Sequence, residues 1–71
     1  MAKDLKRSLS IAGHRTSISL EHEFWAELQK AADARQMSVA ALVAEIDQTR
    51  GTRNLSSAIR VWILKQVSPQ G

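Results

Sequence analysis

The sequence predicts a mainly α-helical domain with one short β-strand near its N-terminus. Apolar and polar residues alternate over residues 15–20, which is the period of a strand, and apolar residues then recur every three or four positions in three later segments. The 71 residues include three glycines and one proline, a composition that favours helices joined by short turns. A chain of this length forms one small domain.

The strand is predicted from Thr16, Ile18 and Leu20, which point to one side while polar residues point to the other. Thr16 and Ile18 are also β-branched, which suits an extended backbone. The residues before the strand are small, polar and basic, and we assign them to a flexible arm.

Three helices are predicted over residues 21–35, 38–50 and 55–67, from apolar residues at helical spacing. Ser38 is a suitable N-cap for the second helix, and Gly51 is a suitable residue to end it. We divide the chain into a basic flexible arm (1–13), a core (14–50), a C-terminal helix extension (51–67) and a tail (68–71).

A single strand leaves its backbone N–H and C=O groups unpaired, so the pattern predicts a homodimer. The same strand from two chains would pair about a twofold axis and form an intermolecular two-stranded antiparallel ribbon. The alternative is a hairpin within one chain, in which residues 8–12 pair with residues 15–20 across a turn at residues 12–14. The residues predicted for the dimer core are Ile18, Leu20, Phe24, Leu28, Leu42, Ile46 and Trp62.

The two ends of the chain are basic and its middle is acidic. Residues 1–20 carry four bases and one acid, residues 50–71 carry four bases and no acid, and residues 21–49 carry six acids and two bases. A polyanion such as nucleic acid would therefore meet the ends of the chain. We assign Lys6 and Arg7 in the arm to phosphate contacts, although a solubilising tail has the same composition.

Several protein classes do not fit the sequence. No apolar stretch approaches the roughly 18 residues of a membrane helix, and the N-terminus lacks the apolar region of a secretion signal, so we expect a cytoplasmic protein. The absence of cysteine excludes disulfides and thiolate metal sites. His14 and His22 are the only imidazoles, and Glu23 and Glu27 lie on a helix surface without a nucleophile. We expect no metal, no cofactor and no enzymatic activity.

Four segments of the sequence carry a resemblance to a known family, namely His14–Glu21, Phe24–Trp25, Ala44–Asp47 and Asn54–Arg60. Together they resemble a group of short bacterial ribbon-helix-helix proteins. The order of an alternating strand over residues 15–20, a helix, a short turn ending at Ser38–Val39 and a second amphipathic helix is similar to the wider ribbon-helix-helix superfamily of the Arc and methionine repressors. The resemblance covers about residues 13–65. The third helix departs from the minimal fold of that superfamily, which ends after two helices.

The resemblance implies a ribbon-helix-helix homodimer that places the open face of its ribbon in the major groove of double-stranded DNA. By strand position, Arg15, Ser17 and Ser19 would then read bases, and the start of the second helix, at Ser38 and Val39, would clamp a phosphate. The chemistry agrees, because arginine can bridge guanine O6 and N7, serine can donate or accept, and a helix N-terminus offers unpaired N–H groups. We therefore expect a sequence-specific DNA-binding protein that acts as a bacterial transcriptional regulator, such as a repressor.

Other interpretations remain open at this point. The alternating residues can form the solvated face of a surface strand. A helix-turn-helix protein would read DNA with residues 38–50, but the outer face of that helix is small or acidic. The third helix, with Trp62, can extend the core, or it can dock a protein partner as the C-terminal segments of antitoxins in this superfamily do. The alternative function is therefore a protein–protein interaction module, an antitoxin or adaptor.

Overall fold

A computed structural model describes residues 4–67 as a two-stranded antiparallel sheet followed by three helices. The predicted helices are confirmed to within one residue at each end, and none of the helices in this range is long and apolar enough to cross a bilayer. The first residues of the predicted arm and the predicted tail lie outside the described residues. In chain order the elements are β1 (Asp4–Ile11), β2 (His14–Glu21), α1 (His22–Ala34), α2 (Val39–Thr49) and α3 (Leu55–Val67).

The prediction of a single strand is wrong, because residues 4–11, which we assigned to the arm, form β1. This strand pairs with β2 of the same chain in a register that places Leu5 opposite Leu20 and Ile11 opposite His14. The hairpin alternative is therefore confirmed, with longer strands than the sequence predicted. The backbone of β2 finds its partner within the chain, and an intermolecular ribbon is not needed to satisfy it.

A two-residue turn joins the strands, and both of its residues have a positive φ. The values are 50° at Ala12 and 84° at Gly13, the combination of a type I′ turn, whose twist matches that of the flanking strands. Glycine adopts this conformation without a steric penalty, whereas an L-residue with a Cβ atom loses about 1–2 kcal/mol. Ala12 is therefore a strained position in the hairpin.

The hydrophobic core lies between one face of the sheet and all three helices, within a single chain. Of the residues predicted for a dimer core, Phe24 and Trp62 are only half-buried, and the other five are buried here without a second chain. The third helix contributes to this core as much as the first two do. The buried residues are Ile11, Ile18 and Leu20 from the hairpin, Trp25, Leu28 and Ala32 from α1, Leu42, Val43 and Ile46 from α2, and Ala58, Ile59 and Ile63 from α3.

The turns between the helices follow capping rules. After α1, the N–H of Met37 donates to the carbonyl of Ala32 at 3.0 Å, and Gln36 has a φ of 58° in the position that glycine usually takes. Ser38 then caps α2, because its hydroxyl accepts a hydrogen bond from the N–H of Ala41 at 3.0 Å. Gly51, with a φ of 64°, follows the end of α2 as predicted.

Glu21 joins the end of β2 to α3. Its Oε1 accepts a hydrogen bond from Nε of Arg60 at 2.9 Å, and the Arg60 guanidinium also lies 6.0 Å from the centroid of the Phe24 ring. The pKa of Glu21 is lowered, first because its carboxylate accepts a hydrogen bond from its own backbone N–H, and second because Arg60 donates to it. The Glu21–Arg60 pair therefore connects α3 to the junction between β2 and α1.

We predict that Ala12→Asn stabilises the protein. Asparagine tolerates the left-handed conformation and is favoured before glycine in a type I′ turn, so the free energy of unfolding should rise by about 1 kcal/mol. The measurement is urea unfolding followed by circular dichroism. The same change at Ala34, an exposed residue at the end of α1, should instead lower stability by about 0.5 kcal/mol through helix propensity. A loss of stability at position 12 would show that this turn does not form.

The contribution of the Glu21 carboxylate to stability should depend on pH. Because its pKa is lower in the folded chain, the stabilisation is present above the ordinary glutamate value of 4.5 and is lost as the pH falls through the folded pKa. The stability difference between wild type and Glu21→Gln should therefore shrink in acid. Arg60→Gln leaves the larger contribution, the hydrogen bond from the Glu21 backbone, in place. The stability difference between wild type and Arg60→Gln should therefore change less with pH than the difference for Glu21→Gln. Equal curves for the two variants would contradict the order of the two causes.

Candidate nucleic-acid interface

One face of the hairpin points away from the helices and carries only polar side chains from Lys6 to Ser19. Strand alternation places every second residue of β1 and β2 on this side, and residues opposite each other in the register share it. All of these residues are exposed except Ser19, which is half-buried. We call this surface the open face; its three cross-strand pairs are Lys6 with Ser19, Ser8 with Ser17, and Ser10 with Arg15.

The three residues predicted to read bases lie together on the open face. Arg15 and Ser17 are exposed, and Ser19 lies on the same side of β2. Arginine offers five N–H donors in a planar group, and each serine hydroxyl can both donate and accept. The two-stranded surface that the sequence assigned to two chains is therefore present in one.

Three further residues of the open face come from β1. Lys6, which was predicted as a phosphate contact in an arm, lies opposite Ser19, and Ser8 and Ser10 were not predicted as site residues. The signal that could have found them is the alternation of Leu5, Leu9 and Ile11 with polar residues. In the sequence this alternation supported only the hairpin alternative, with a shorter strand over residues 8–12.

Arg7 lies on the other side of β1, opposite Ile18. Its guanidinium is 4.9 Å from the centroid of the Trp25 ring, close enough for a cation–π interaction. Nε1 of Trp25 in turn donates a hydrogen bond to the carbonyl of Leu5 at 2.8 Å. Arg7 is thus held against α1 at the border of the sheet, and its placement in a flexible arm is wrong.

Arg7 and Val39, both predicted to contact phosphate, border the same cleft. Val39 is the first residue of α2, where the N–H groups of the first turn have no acceptor within the helix, and the hydroxyl of Ser38 already satisfies Ala41. Val39 therefore places the N-terminal end of α2, where the helix dipole is positive, beside this cleft. The cleft has a volume of about 330 Å³ and is lined by Leu5, Arg7, Leu9, His22, Trp25, Ala26, Gln29 and Val39.

The outer side of α2 offers little to a nucleic acid. Its exposed residues include Ala41, Glu45 and Gln48, which supply a carboxylate but no positively charged side chain. A carboxylate facing a phosphate groove is unfavourable, so the structure gives no support to a helix-turn-helix arrangement. Among the described residues, no group of three or more histidine, aspartate or glutamate side chains is placed to hold a metal ion.

Comparison with known proteins identifies the domain type. The sequence model of the family described as "Ribbon-helix-helix domain" matches residues 5–67. The match begins in β1 and ends with α3, so the first strand and the third helix both belong to the matched domain. The resemblance seen in the sequence covered a shorter range. No curated protein and no solved structure gives a significant match.

Proposed function

Because the chain belongs to the ribbon-helix-helix family, we propose that it is a sequence-specific DNA-binding protein and that it acts as a transcriptional regulator. The observation that carries this proposal is the open face. From the Lys6–Ser19 pair to the turn, one side of the two-stranded ribbon carries six polar side chains, of which two are cationic and none is acidic. Glu21 follows at the far end of β2, and its carboxylate is paired with Arg60. A ribbon of this width fits the major groove of B-DNA.

Arg15 supplies the main element of base recognition. It is exposed beside the turn and can donate two hydrogen bonds to O6 and N7 of a guanine, a pairing that discriminates between bases by about 1–3 kcal/mol. The serines on both strands of the open face can donate to or accept from several base edges and are less selective. Lys6 adds a second cation on β1 that can reach a base or a phosphate.

The cleft beside Arg7 supplies phosphate contacts that do not depend on sequence. Arg7 and Val39, the first residue of α2, line the same cleft, so a phosphate bound there would lie near a positive charge and a helix N-terminus. Such contacts release counterions from DNA, and the affinity they provide falls as salt increases. They would position the ribbon without selecting a sequence.

We further propose that two copies bind side by side on DNA and form a homodimer there. One ribbon carries a single arginine among its open-face residues, which specifies few base pairs, whereas two copies on neighbouring half-sites double the recognised sequence. Each chain already closes its own core. Among the described residues the only large apolar side chains that are exposed are Leu5 (40%) and Leu64 (61%). Within the described residues, the exposed large apolar side chains thus supply little area for a preformed dimer.

The third helix gives less support to the alternative function of an antitoxin or adaptor. Ala58, Ile59 and Ile63 are committed to the core, and Trp62 is half-buried under the Arg35 guanidinium at 5.1 Å. Leu64 is the large apolar side chain that this helix exposes. Among residues 55–66 of α3, a protein partner would therefore have one fully exposed apolar anchor.

Arg15→Ala should remove sequence preference. A site is first selected from a random DNA library with the wild-type protein, and affinities for this site and for random DNA are then measured by fluorescence anisotropy. The ratio of the two affinities should fall by about tenfold or more, because a bidentate arginine–guanine contact is lost. Absence of wild-type binding to any DNA at low salt would refute the proposed function.

Two comparison variants make this result specific to the ribbon. Arg7→Ala should weaken binding to all sequences alike and reduce the salt dependence, since it removes a phosphate contact. Lys30→Ala, on α1 and paired with Glu27 at 3.3 Å, removes the same charge away from the ribbon and should leave the affinity ratio unchanged. An equal effect of all three variants would show that only net charge matters.

The two-copy arrangement predicts a change of stoichiometry on DNA. Sedimentation of the protein alone should give a monomer of 7.9 kDa, and the complex with the selected duplex should contain two chains. A selected site with two related halves is expected for the same reason. A one-to-one complex on the selected site would contradict this part of the proposal without affecting DNA binding itself.

A further inference from the structure

A second cleft lies between α2 and α3, away from both surfaces described above. It has a volume of about 220 Å³ and shares no lining residue with the open face or with the cleft beside Arg7. Its base is apolar, and its rim holds three cationic side chains. The residues that line it are Ile46, Thr49, Arg50, Arg53, Ala58, Val61, Trp62 and Lys65.

Arg50 is held in one orientation at the rim of this α2–α3 cleft. Its Nε donates to Oδ1 of Asp47, and its Nη1 donates to the carbonyl of Arg53 at 2.7 Å. These bonds leave both N–H donors of Nη2 and one N–H donor of Nη1 available to a ligand. An arginine fixed in this way loses little side-chain entropy when it binds an anion.

Arg53 and Lys65 add charge that Asp47 does not balance. Within residues 4–67, neither side chain forms an ion pair with a carboxylate, whereas Arg60 is paired with Glu21. Three cations around one carboxylate leave the rim with a net positive charge. The cleft therefore favours an anion.

The size and lining of the cleft define the anion further. Its volume is below the range of about 300–1,000 Å³ that is usual for whole organic ligands, so it suits a compact group. Ile46 and Ala58 are buried at its base, and Trp62, stacked by Arg35, forms a half-buried wall. Planar guanidinium groups and an ammonium around a small apolar base match the charge and geometry of a phosphate or diphosphate group.

We propose that the α2–α3 cleft is a phosphate-binding site, held by Arg50, Arg53 and Lys65. The phosphate has two sources with the same chemistry, a free phosphorylated small molecule or the backbone of a nucleic acid. The site does not depend on the proposed base recognition, because the two surfaces share no residue. Binding of a small phosphorylated molecule there would give the domain a ligand besides DNA.

The test compares wild type with Arg53→Gln/Lys65→Gln, which removes two exposed charges and keeps Arg50 and Asp47. Calorimetric titrations use pyrophosphate and ATP as probes, and a random-sequence DNA duplex in a separate arm. Each charge-assisted hydrogen bond lost should weaken binding of the responsible probe by about tenfold. Thermal unfolding confirms that the double variant is folded. Lys30→Gln serves as the charge-matched control and should bind like wild type.

The pattern of losses separates the outcomes. A loss for pyrophosphate or ATP, with DNA affinity intact, supports the site and assigns it to a free phosphorylated ligand. A loss for DNA alone supports the site and assigns it to a nucleic-acid backbone. The proposal is overturned if the wild type and the double variant bind all three probes with equal affinity. Arg15→Ala, tested in parallel, should retain pyrophosphate binding, which keeps this result separate from the fate of the ribbon.

Discussion

The antiparallel pairing of β1 with β2 satisfies the backbone of both strands within one chain, in a register that runs from the Asp4–Glu21 pair to the Ile11–His14 pair. This pairing brings Ile11, Ile18 and Leu20 together on one side of the hairpin, where they join the core formed with the three helices. Without β1, the inner edge of β2 would be unpaired and Ile11 would be missing from the core. The strained turn at Ala12 is tolerated because the strands on both sides of it are fixed by these contacts.

The same pairing determines where charge is displayed. Because side chains alternate along each strand, covering one side with helices leaves Lys6, Arg15 and four serines on the other, followed at the end of β2 by Glu21, which Arg60 neutralises. Arg7 differs from Lys6 by one position and therefore lies on the helix side, where Trp25 holds its guanidinium. Two neighbouring basic residues thus acquire different surroundings and different proposed roles.

The third helix completes this arrangement. It contributes Ala58, Ile59 and Ile63 to the core, and Arg60 ties it to Glu21 at the end of β2. It also forms one wall of the α2–α3 cleft, so the element that closes the core creates a second positively charged surface. Six of the ten lysine and arginine residues are therefore divided among the open face, the Arg7 cleft and the α2–α3 cleft, whereas five of the seven acidic residues lie on α1 and α2.

The amino-acid sequence by itself determined the features that depend on neighbours a few positions away. The three helices, the cap at Ser38, the stop at Gly51 and the outward side of Arg15, Ser17 and Ser19 all follow from local spacing and were predicted. The partner of β2 was decided only in the tertiary structure, because alternation shows that a strand has an apolar side but not which strand lies beside it. The same is true of the Arg7–Trp25 and Arg60–Glu21 contacts, whose residues are 18 and 39 positions apart and meet only when hairpin and helices pack together.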